Sequence, residues 1–290
     1  MKIGVVGLGS MGFGMAASLL RAGHQVCGSD LNPDAVRRLQ ALGGTAWGPV
    51  EALVVVVLNA AQVEAVLFGA DGLAVGLAPG SAVICCVTVA PDFARAMAAR
   101  CEALGLHYLD APISGGSVKA ANGTLSIMAS GTAAAFAAAR PTLAATAEKV
   151  FDLGDSAGMG SAMKAVNQML AGTHIAAMAE AITFGMTQGI APETFLQVIP
   201  ECAGTSWMLE NRAPHVVAGD YTPHSAVDIW PKDLGIVLDA ARAARFAAPL
   251  TAAALQQFVA ASGSGWGHED DAAVAKVYAR NAGLTLPEEA

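Results

Sequence analysis

A short apolar run that leads into a glycine-rich turn opens this chain and constrains its fold more than any other stretch. Residues 1–14 read MKIGVVGLGSMGFG, which places Gly7, Gly9 and Gly12 in the spacing G-x-G-x-x-G. After a strand, the first glycine permits a tight turn, the second lets a pyrophosphate approach the backbone, and the third lets helix and strand pack closely. The helix predicted over 11–22 then directs its free N–H groups at that anion. The stretch therefore predicts a dinucleotide site.

The next predicted strand, over 25–29, supplies a second feature of such sites. Asp30 stands at its C-terminal end, where an acidic side chain accepts hydrogen bonds from an adenosine ribose. A carboxylate there repels a 2′-phosphate, and neither Leu31 nor Asn32 supplies a cation, so NAD is favoured over NADP. Two alternatives stay open: an ordinary strand–turn–helix with a capping aspartate, and FAD, whose sites use the same glycine pattern.

Length and charge narrow the function classes. A chain of 290 residues is long enough for two domains. The net charge of -8, with 16 Lys plus Arg and no basic run, argues against nucleic acid and anionic membranes as partners. The strongest aliphatic run, residues 53–58, is far shorter than a membrane span. We therefore expect a small-molecule ligand.

The cysteines indicate the compartment. Five are present, without a C-x-x-C pair and without histidines at metal-ligand spacing. They are interpreted as reduced thiols, mostly buried, of a cytoplasmic protein that holds no metal.

Strand-like runs alternate with helical segments through the first half of the chain. After the strand that leads into Gly7 and the strand over 25–29, short apolar runs recur at 53–58, 82–87, 107–110, 125–129 and 149–153. Helices are predicted between them, for example over 33–42, where Asn32 caps the start and Pro33 occupies the first position. Alternation of this kind predicts a mostly parallel sheet covered on both faces.

The pattern changes near residue 162. A long helix is predicted over 161–188, and further helices over 192–199, 233–244, 249–262 and 271–281. The predicted fold class is α/β, with an N-terminal Rossmann-type, doubly wound, mostly parallel sheet followed by an all-helical C-terminal domain. We expect residues 1–162 to form the NAD-binding domain and residues 163–290 a substrate and dimerisation domain.

Polar residues near the start of the long helix are the first candidate for chemistry. Residues 158–168 read GMGSAMKAVNQ, and helical spacing places Lys164, Asn167 and Gln168 on one face. The alternative is the solvated stripe of an amphipathic helix.

A second candidate is the segment DAPISGG, residues 110–116, which follows a predicted strand. Ligands of open α/β sheets bind beyond the carboxyl ends of strands. Ser114, Gly115 and Gly116 can direct a hydroxyl and successive N–H groups at one anion, such as a substrate carboxylate. An ordinary glycine turn is an equally good interpretation of the segment alone.

Four motifs together carry a family resemblance over nearly the whole chain. The order GLGSMGFGMA, DAPISGG, GMGSAMKAVNQ and then Lys232-Asp233-Leu234 resembles the β-hydroxyacid dehydrogenase family. Residues 225–236 look most like its L-threonate dehydrogenase branch. The resemblance implies that Lys164 is catalytic, that Ser114, Gly115 and Gly116 hold the substrate carboxylate, and that Lys232 lies near cofactor and substrate. Asn167 and Gln168 complete the expected substrate contacts.

The expected cofactor contacts extend beyond the glycines. They are Gly7, Leu8, Gly9, Ser10, Met11, Gly12, Asp30, Leu31, Asn59, Thr88 and Lys232. The chain departs from the family at residues 85–88, where Cys-Cys-Val-Thr replaces the common D-x-S-T and keeps only Thr88. It also has Gln168 where many members have a second asparagine, which favours a different or larger substrate.

The expected reaction is oxidation of a short hydroxy acid by hydride transfer to NAD, with L-threonate oxidised at carbon 2 to 2-oxo-tetronate as the first choice. The alternatives are oxidation of 3-hydroxyisobutyrate, reduction of tartronate semialdehyde, and a non-catalytic NAD-binding module. Lys164 would accept the hydroxyl proton, which requires surroundings that disfavour its charged form. A homodimer or homotetramer is expected. Arg212 is a further candidate substrate contact, for which an exposed helix position is the favoured explanation.

Overall fold

The computed structural model describes residues 1–287 and divides the chain into two compact units, Met1–Lys164 and a second that begins at Ala165. The division falls within one long helix. Five strands form a parallel sheet in the first unit: β1 (Lys2–Val6), β2 (Gln25–Ser29), β3 (Ala52–Val55), β4 (Ala82–Cys85) and β5 (His107–Asp110). Their order is β2-β1-β3-β4-β5, so successive connections leave β1 in opposite directions. In a doubly wound sheet, that reversal marks the ligand-binding edge.

Six helices accompany the strands of the first unit. They are α1 (Ser10–Arg21), α2 (Pro33–Ala41), α3 (Ala60–Phe68), α4 (Pro91–Glu102), α5 (Gly116–Asn122) and α6 (Ala133–Thr146). Asn32 caps α2 as predicted, because its side chain accepts a hydrogen bond from the Asp34 N–H at 3.0 Å. Two apolar clusters, centred on residues such as Leu19 and Tyr108, fill the unit. The predicted fold class is confirmed.

The later strands of this unit form a sheet of their own. β6 (Ile113–Ser114), β7 (Leu125–Ala129) and β8 (Ala147–Asp152) are ordered β6-β7-β8, with an antiparallel and a parallel pairing. These later strands therefore lie outside the five-stranded parallel sheet. Neither β6 nor α5 was predicted, because two and seven residues are too few to show a hydrophobic period.

The long predicted helix is continuous as α7 (Met159–Thr187). Its glycines do not interrupt it. A methyl group at Gly172 would stand 2.9 Å from side-chain atoms of Leu234 and Trp230, so this glycine permits close packing within the second unit.

Regular structure in the second unit is helical. After α7 come α8 (Pro192–Val198), α9 (Trp207–Ala218), α10 (Ile229–Ala243), α11 (Pro249–Ala261) and α12 (Ala275–Ala282). Ile175, Trp230 and Phe258 belong to their shared core. Within residues 1–287, we find no helix that is long and apolar enough to cross a membrane.

The expectation for Arg212 was wrong. Its side chain on α9 is buried and pairs with the carboxylate of Asp271, which is fully buried. The indole N–H of Trp230 also donates to Asp271, at 2.9 Å. Arg212 therefore balances a charge inside the second unit instead of facing solvent.

Candidate active site

The three glycines of the first turn differ in what surrounds them. Gly7 has a φ of +89°, and a Cβ there would lie 2.3 Å from the Val56 carbonyl oxygen. A Cβ at Gly12 would lie 1.8 Å from the Gly7 carbonyl oxygen. A Cβ at Gly9 would meet nothing within 4 Å. The fold itself therefore requires Gly7 and Gly12, whereas Gly9 leaves open space at the N-terminus of α1, where a pyrophosphate would need it.

Asp30 lies beside this turn at the end of β2. Its carboxylate accepts hydrogen bonds from the Leu8 N–H at 2.6 Å and the Asn32 N–H at 2.7 Å. These bonds fix the carboxylate and leave acceptor capacity for ribose hydroxyls, since an ionised carboxylate offers about four lone-pair sites. Gly9 is the N-cap residue of α1, and no side chain caps that helix. The residues present thus fit a dinucleotide.

The remaining predicted cofactor residues of the first unit stand at or near the same edge of the parallel sheet. Asn59 follows β3 and caps α3, accepting a hydrogen bond from the Gln62 N–H at 2.9 Å. Thr88 follows β4 and is partly buried. Ser10 and Met11 form the first turn of α1, and Leu31 is 98% exposed. The sheet therefore places these residues beyond the carboxyl ends of its strands, as a ligand site requires.

Cys85 and Cys86 are buried. They stand at the positions of the aspartate in the common D-x-S-T motif and of the residue that follows it. Burial raises the pKa of the Cys85 thiol to about 11 and also raises the pKa of Cys86. Both thiols therefore stay protonated at neutral pH, so position 85 contributes no charge near the cofactor edge. Among residues 1–287, no three histidine, cysteine, aspartate or glutamate side chains lie together in a way that would hold a metal ion.

The predicted anion-binding segment has an unusual backbone. Ser114 ends β6, Gly115 and Gly116 have φ values of +135° and +75°, and α5 begins at Gly116. Two successive left-handed residues turn the chain so that N–H groups follow the serine hydroxyl closely.

Helix α5 also packs directly on α1, the helix of the first turn. A Cβ at Gly14 would stand 2.7 Å from the Ala121 backbone nitrogen, and the Ser18 hydroxyl donates to the Ala120 carbonyl at 2.9 Å. Gly14 was not recognised from the sequence, although it is the last glycine of GLGSMGFG. It brings the predicted cofactor turn and the predicted anion-binding segment into one packed assembly.

Lys164 is buried and reaches the same segment. Only 8% of the residue is exposed, and its Nζ donates to the Ile113 carbonyl oxygen at 2.9 Å. Ile113 directly precedes Ser114. The structure therefore brings Lys164 to the predicted anion-binding segment, whose Ile113 lies 51 residues earlier in the chain.

The other predicted substrate contacts form a network in the second unit. The Asn167 amide donates to Gln168 Oε1 at 2.9 Å, and Gln168 Nε2 donates to Asp233 Oδ2 at 2.6 Å. Lys232 Nζ lies 2.8 Å from Asp233 Oδ1. Sequence reasoning missed Asp233, whose only signal was its place in the Lys232-Asp233-Leu234 motif. The Gln168 amide therefore makes two hydrogen bonds within the protein, one through Oε1 and one through Nε2.

Comparison with known proteins identifies the family. Residues 2–154 match the family described as the NAD binding domain of 6-phosphogluconate dehydrogenase. Residues 158–278 match the one described as NAD-binding of NADP-dependent 3-hydroxyisobutyrate dehydrogenase. The chain belongs to the β-hydroxyacid dehydrogenase family. The prediction of a nicotinamide-dependent hydroxyacid dehydrogenase is thereby confirmed.

Several relatives resemble the chain over nearly its whole length. An L-threonate dehydrogenase of Cupriavidus necator is 50% identical, covering 99% of this chain and 98% of its own. A 3-hydroxyisobutyrate dehydrogenase of Pseudomonas aeruginosa is 38% identical, covering 95% and 98%. A crystal structure described as 3-hydroxyisobutyrate dehydrogenase from Salmonella typhimurium has a TM-score of 0.91 at 50% identity, covering 96% and 99%.

Proposed function

We propose that this dehydrogenase oxidises L-threonate at carbon 2 to 2-oxo-tetronate, with NAD as the hydride acceptor. L-threonate dehydrogenases at 44–50% identity over nearly the whole chain support this substrate. The solved structure at 50% identity carries the name of a 3-hydroxyisobutyrate dehydrogenase. Two proteins that are named for different substrates are thus equally similar to this chain, so the two substrates must be compared directly.

The observation that carries the chemistry is the buried Lys164 amine at 2.9 Å from the Ile113 carbonyl, one residue before Ser114. In the proposed reaction, the Ser114 hydroxyl and the N–H groups of Gly115 and Gly116 bind the substrate carboxylate. The carbon-2 hydroxyl of a 2-hydroxy acid is then held beside the amine. A base within hydrogen-bond reach of that proton is the geometric requirement for general base catalysis.

During oxidation, Lys164 accepts the hydroxyl proton as the carbon–oxygen bond becomes a carbonyl, and it returns the proton during reduction. The dinucleotide, when bound, supplies the acceptor for the hydride that leaves carbon 2. The proton and the hydride together account for both electrons and both hydrogens of the oxidation.

We assign further substrate contacts to Asn167, Gln168 and Lys232, with Asp233 orienting Gln168 through its 2.6 Å hydrogen bond. For the cofactor, the Asp30 carboxylate favours the unphosphorylated ribose of NAD, because it would repel a 2′-phosphate. On this assignment, residues 1–162 form the NAD-binding domain and residues 163–290 the substrate and dimerisation domain.

We also propose a cytoplasmic homo-oligomer. Five free cysteines suit a reducing compartment. Val166, Leu170 and Phe184 on α7 are each more than half exposed, and a second copy of the chain would cover them. Light scattering should give the mass of a dimer or tetramer, and a monomer at micromolar concentration would contradict the proposal.

Initial rates of NADH formation test the substrate. L-threonate, D-glycerate and 3-hydroxyisobutyrate are each supplied with NAD and with NADP, and tartronate semialdehyde is supplied with the reduced cofactors. We expect the largest kcat/KM for L-threonate with NAD, and a 2-oxo acid as the trapped product. A higher kcat/KM for another acid would replace L-threonate. Silence across the panel, with NAD binding intact, would favour a non-catalytic module.

A further inference from the structure

Asp110, the last residue of β5, is fully buried and surrounded by hydrogen-bond donors. The Ser161 hydroxyl donates to its Oδ1 at 2.7 Å, while the N–H groups of Ser161 and Gly158 donate to Oδ2 at 2.8 and 2.9 Å. The Ser130 hydroxyl donates to Oδ2 at 3.4 Å. None of these donors is a substrate or cofactor residue in the proposed function, so the carboxylate serves the start of α7.

The segment that begins α7 is shaped to sit on this carboxylate. Gly158 has a φ of +106°. A Cβ at Gly160 would lie 2.4 Å from the Met128 carbonyl oxygen and 2.8 Å from that of Asp110. The Gly160 N–H donates to the Ser130 hydroxyl at 2.9 Å. The glycines of G-M-G-S thus let the helix start press against the ends of β5 and β7, which explains a motif that the proposed chemistry does not use.

Two indirect connections link Asp110 to Lys164, one through Ser161 and one through Ile113. Lys164 follows Ser161 by three residues, about one helical turn, so a fixed Ser161 fixes where the lysine stem leaves α7. The lysine Nζ then donates to the Ile113 carbonyl, three residues after Asp110. Pro112 lies between them and restricts the backbone. The segment 110–113 therefore contacts both the first turn of α7, through Asp110, and the Lys164 amine, through Ile113.

We propose that Asp110 is a positioning residue for Lys164: its ionised carboxylate anchors the first turn of α7 and thereby sets the location of the amine. The inference rests on the proposed role of Lys164 in proton transfer. A carboxylate suits this task because it accepts from all four donors, and charge-assisted hydrogen bonds are stronger than neutral ones. Burial raises the pKa of the Asp110 carboxyl, and the hydrogen bonds from Ser161, Gly158 and Ser130 oppose that rise.

The test is a double-mutant cycle on kcat with Asp110→Asn and Lys164→Ala. The asparagine keeps the size of the side chain but points N–H donors at the N–H groups of α7. A displaced base commonly costs about 100-fold, so we expect Asp110→Asn to lower kcat by roughly that factor and to leave the Kd for NAD unchanged. In the Lys164→Ala background, the same substitution should change the residual kcat by less than about twofold, because coupled residues are not additive.

A loss of the same factor in both backgrounds would show that Asp110 acts independently of Lys164 and would overturn the inference. Unchanged kcat in Asp110→Asn would overturn it as well. Near-full activity of Lys164→Ala alone would instead remove the proposed function, which is a separate result.

Ser161→Ala keeps the inference testable where Asp110→Asn fails to fold. It deletes the 2.7 Å hydroxyl bond and retains the backbone bond at 2.8 Å. We expect a smaller loss of kcat, about tenfold, with the same dependence on Lys164. The matched control is Thr132→Ala, which removes the cap of α6. It should lower stability to a similar extent and leave kcat unchanged, and unchanged kcat in Ser161→Ala would overturn the inference.

Discussion

Gly9 and Gly12 of the first turn differ in their surroundings, and this difference separates what the fold requires from what the cofactor requires. A methyl group at Gly12 would stand 1.8 Å from the Gly7 carbonyl oxygen, closer than real Cβ atoms approach. The backbone of α1 or of the turn must therefore move. Overpacking of this kind typically costs about 1–3 kcal/mol, so Gly12→Ala should lower the free energy of unfolding by at least that amount.

Gly9→Ala should behave differently. Its φ of -65° suits alanine, and a Cβ there meets nothing within 4 Å. The free energy of unfolding should change by less than about 0.5 kcal/mol without cofactor. With NAD, the methyl group occupies the space of the pyrophosphate, and about 1–3 kcal/mol of lost binding corresponds to a roughly 5- to 150-fold higher Kd.

Urea denaturation of the unliganded proteins and calorimetric titration with NAD measure the two quantities. Gly9→Ala with wild-type stability and wild-type NAD affinity would refute the placement of the pyrophosphate. A Gly12→Ala variant as stable as wild type would refute the steric argument for the turn.

Two further predictions concern stability. Burial raises the pKa of the Cys101 thiol to about 12. As the pH rises above about 8.5, the unfolded chain therefore loses this proton before the folded protein does. Between that pH and about pH 12, the free energy of unfolding falls by about 1.4 kcal/mol per pH unit. In urea denaturation at pH values from about 8 to about 11, the free energy of unfolding of Cys101→Ala should fall less steeply with pH than that of the wild type. An equal slope in both proteins would contradict this prediction. Arg212→Met leaves buried Asp271 without its cation and should cost about 3–5 kcal/mol in urea denaturation. The double variant Arg212→Met/Asp271→Asn should recover part of that loss, and an additive loss would contradict the pairing.

The sequence was most informative where one local pattern determines the structure. β2 was predicted over 25–29 and observed at Gln25–Ser29, because an apolar run bounded by polar residues and followed by Asp30 leaves little choice. The start of α2 followed in the same way from Asn32 and Pro33. Both features depend on residues within one turn or strand.

The missed elements depend on partners far away in the chain. The bounds of the helix α9 were not predicted, although Arg212 was expected at a helix position, and Pro214 inside α9 is a residue that usually ends helices. The burial of Arg212 depends on Asp271, 59 residues later. No local pattern predicts such a pairing.

The candidate site shows the same division. The motifs identified Lys164 and Ser114 one at a time, but only the fold shows that the amine donates to the residue before that serine. Likewise, Asp110 was part of a quoted motif, whereas its contact with Ser161, 51 residues away, required the structure. Residue types indicate which chemistry is available, whereas contacts between distant segments decide which residues lie in the same site.

The most direct test of the proposed mechanism is the rate of NADH formation from L-threonate by Lys164→Ala, measured beside its Kd for NAD. The variant should bind NAD as wild type does, because the Asp30 carboxylate is held by the N–H groups of Leu8 and Asn32. Its kcat should fall by about 100- to 10,000-fold, the usual contribution of a general base. Near-wild-type turnover of L-threonate by this variant would contradict Lys164 as the proton acceptor.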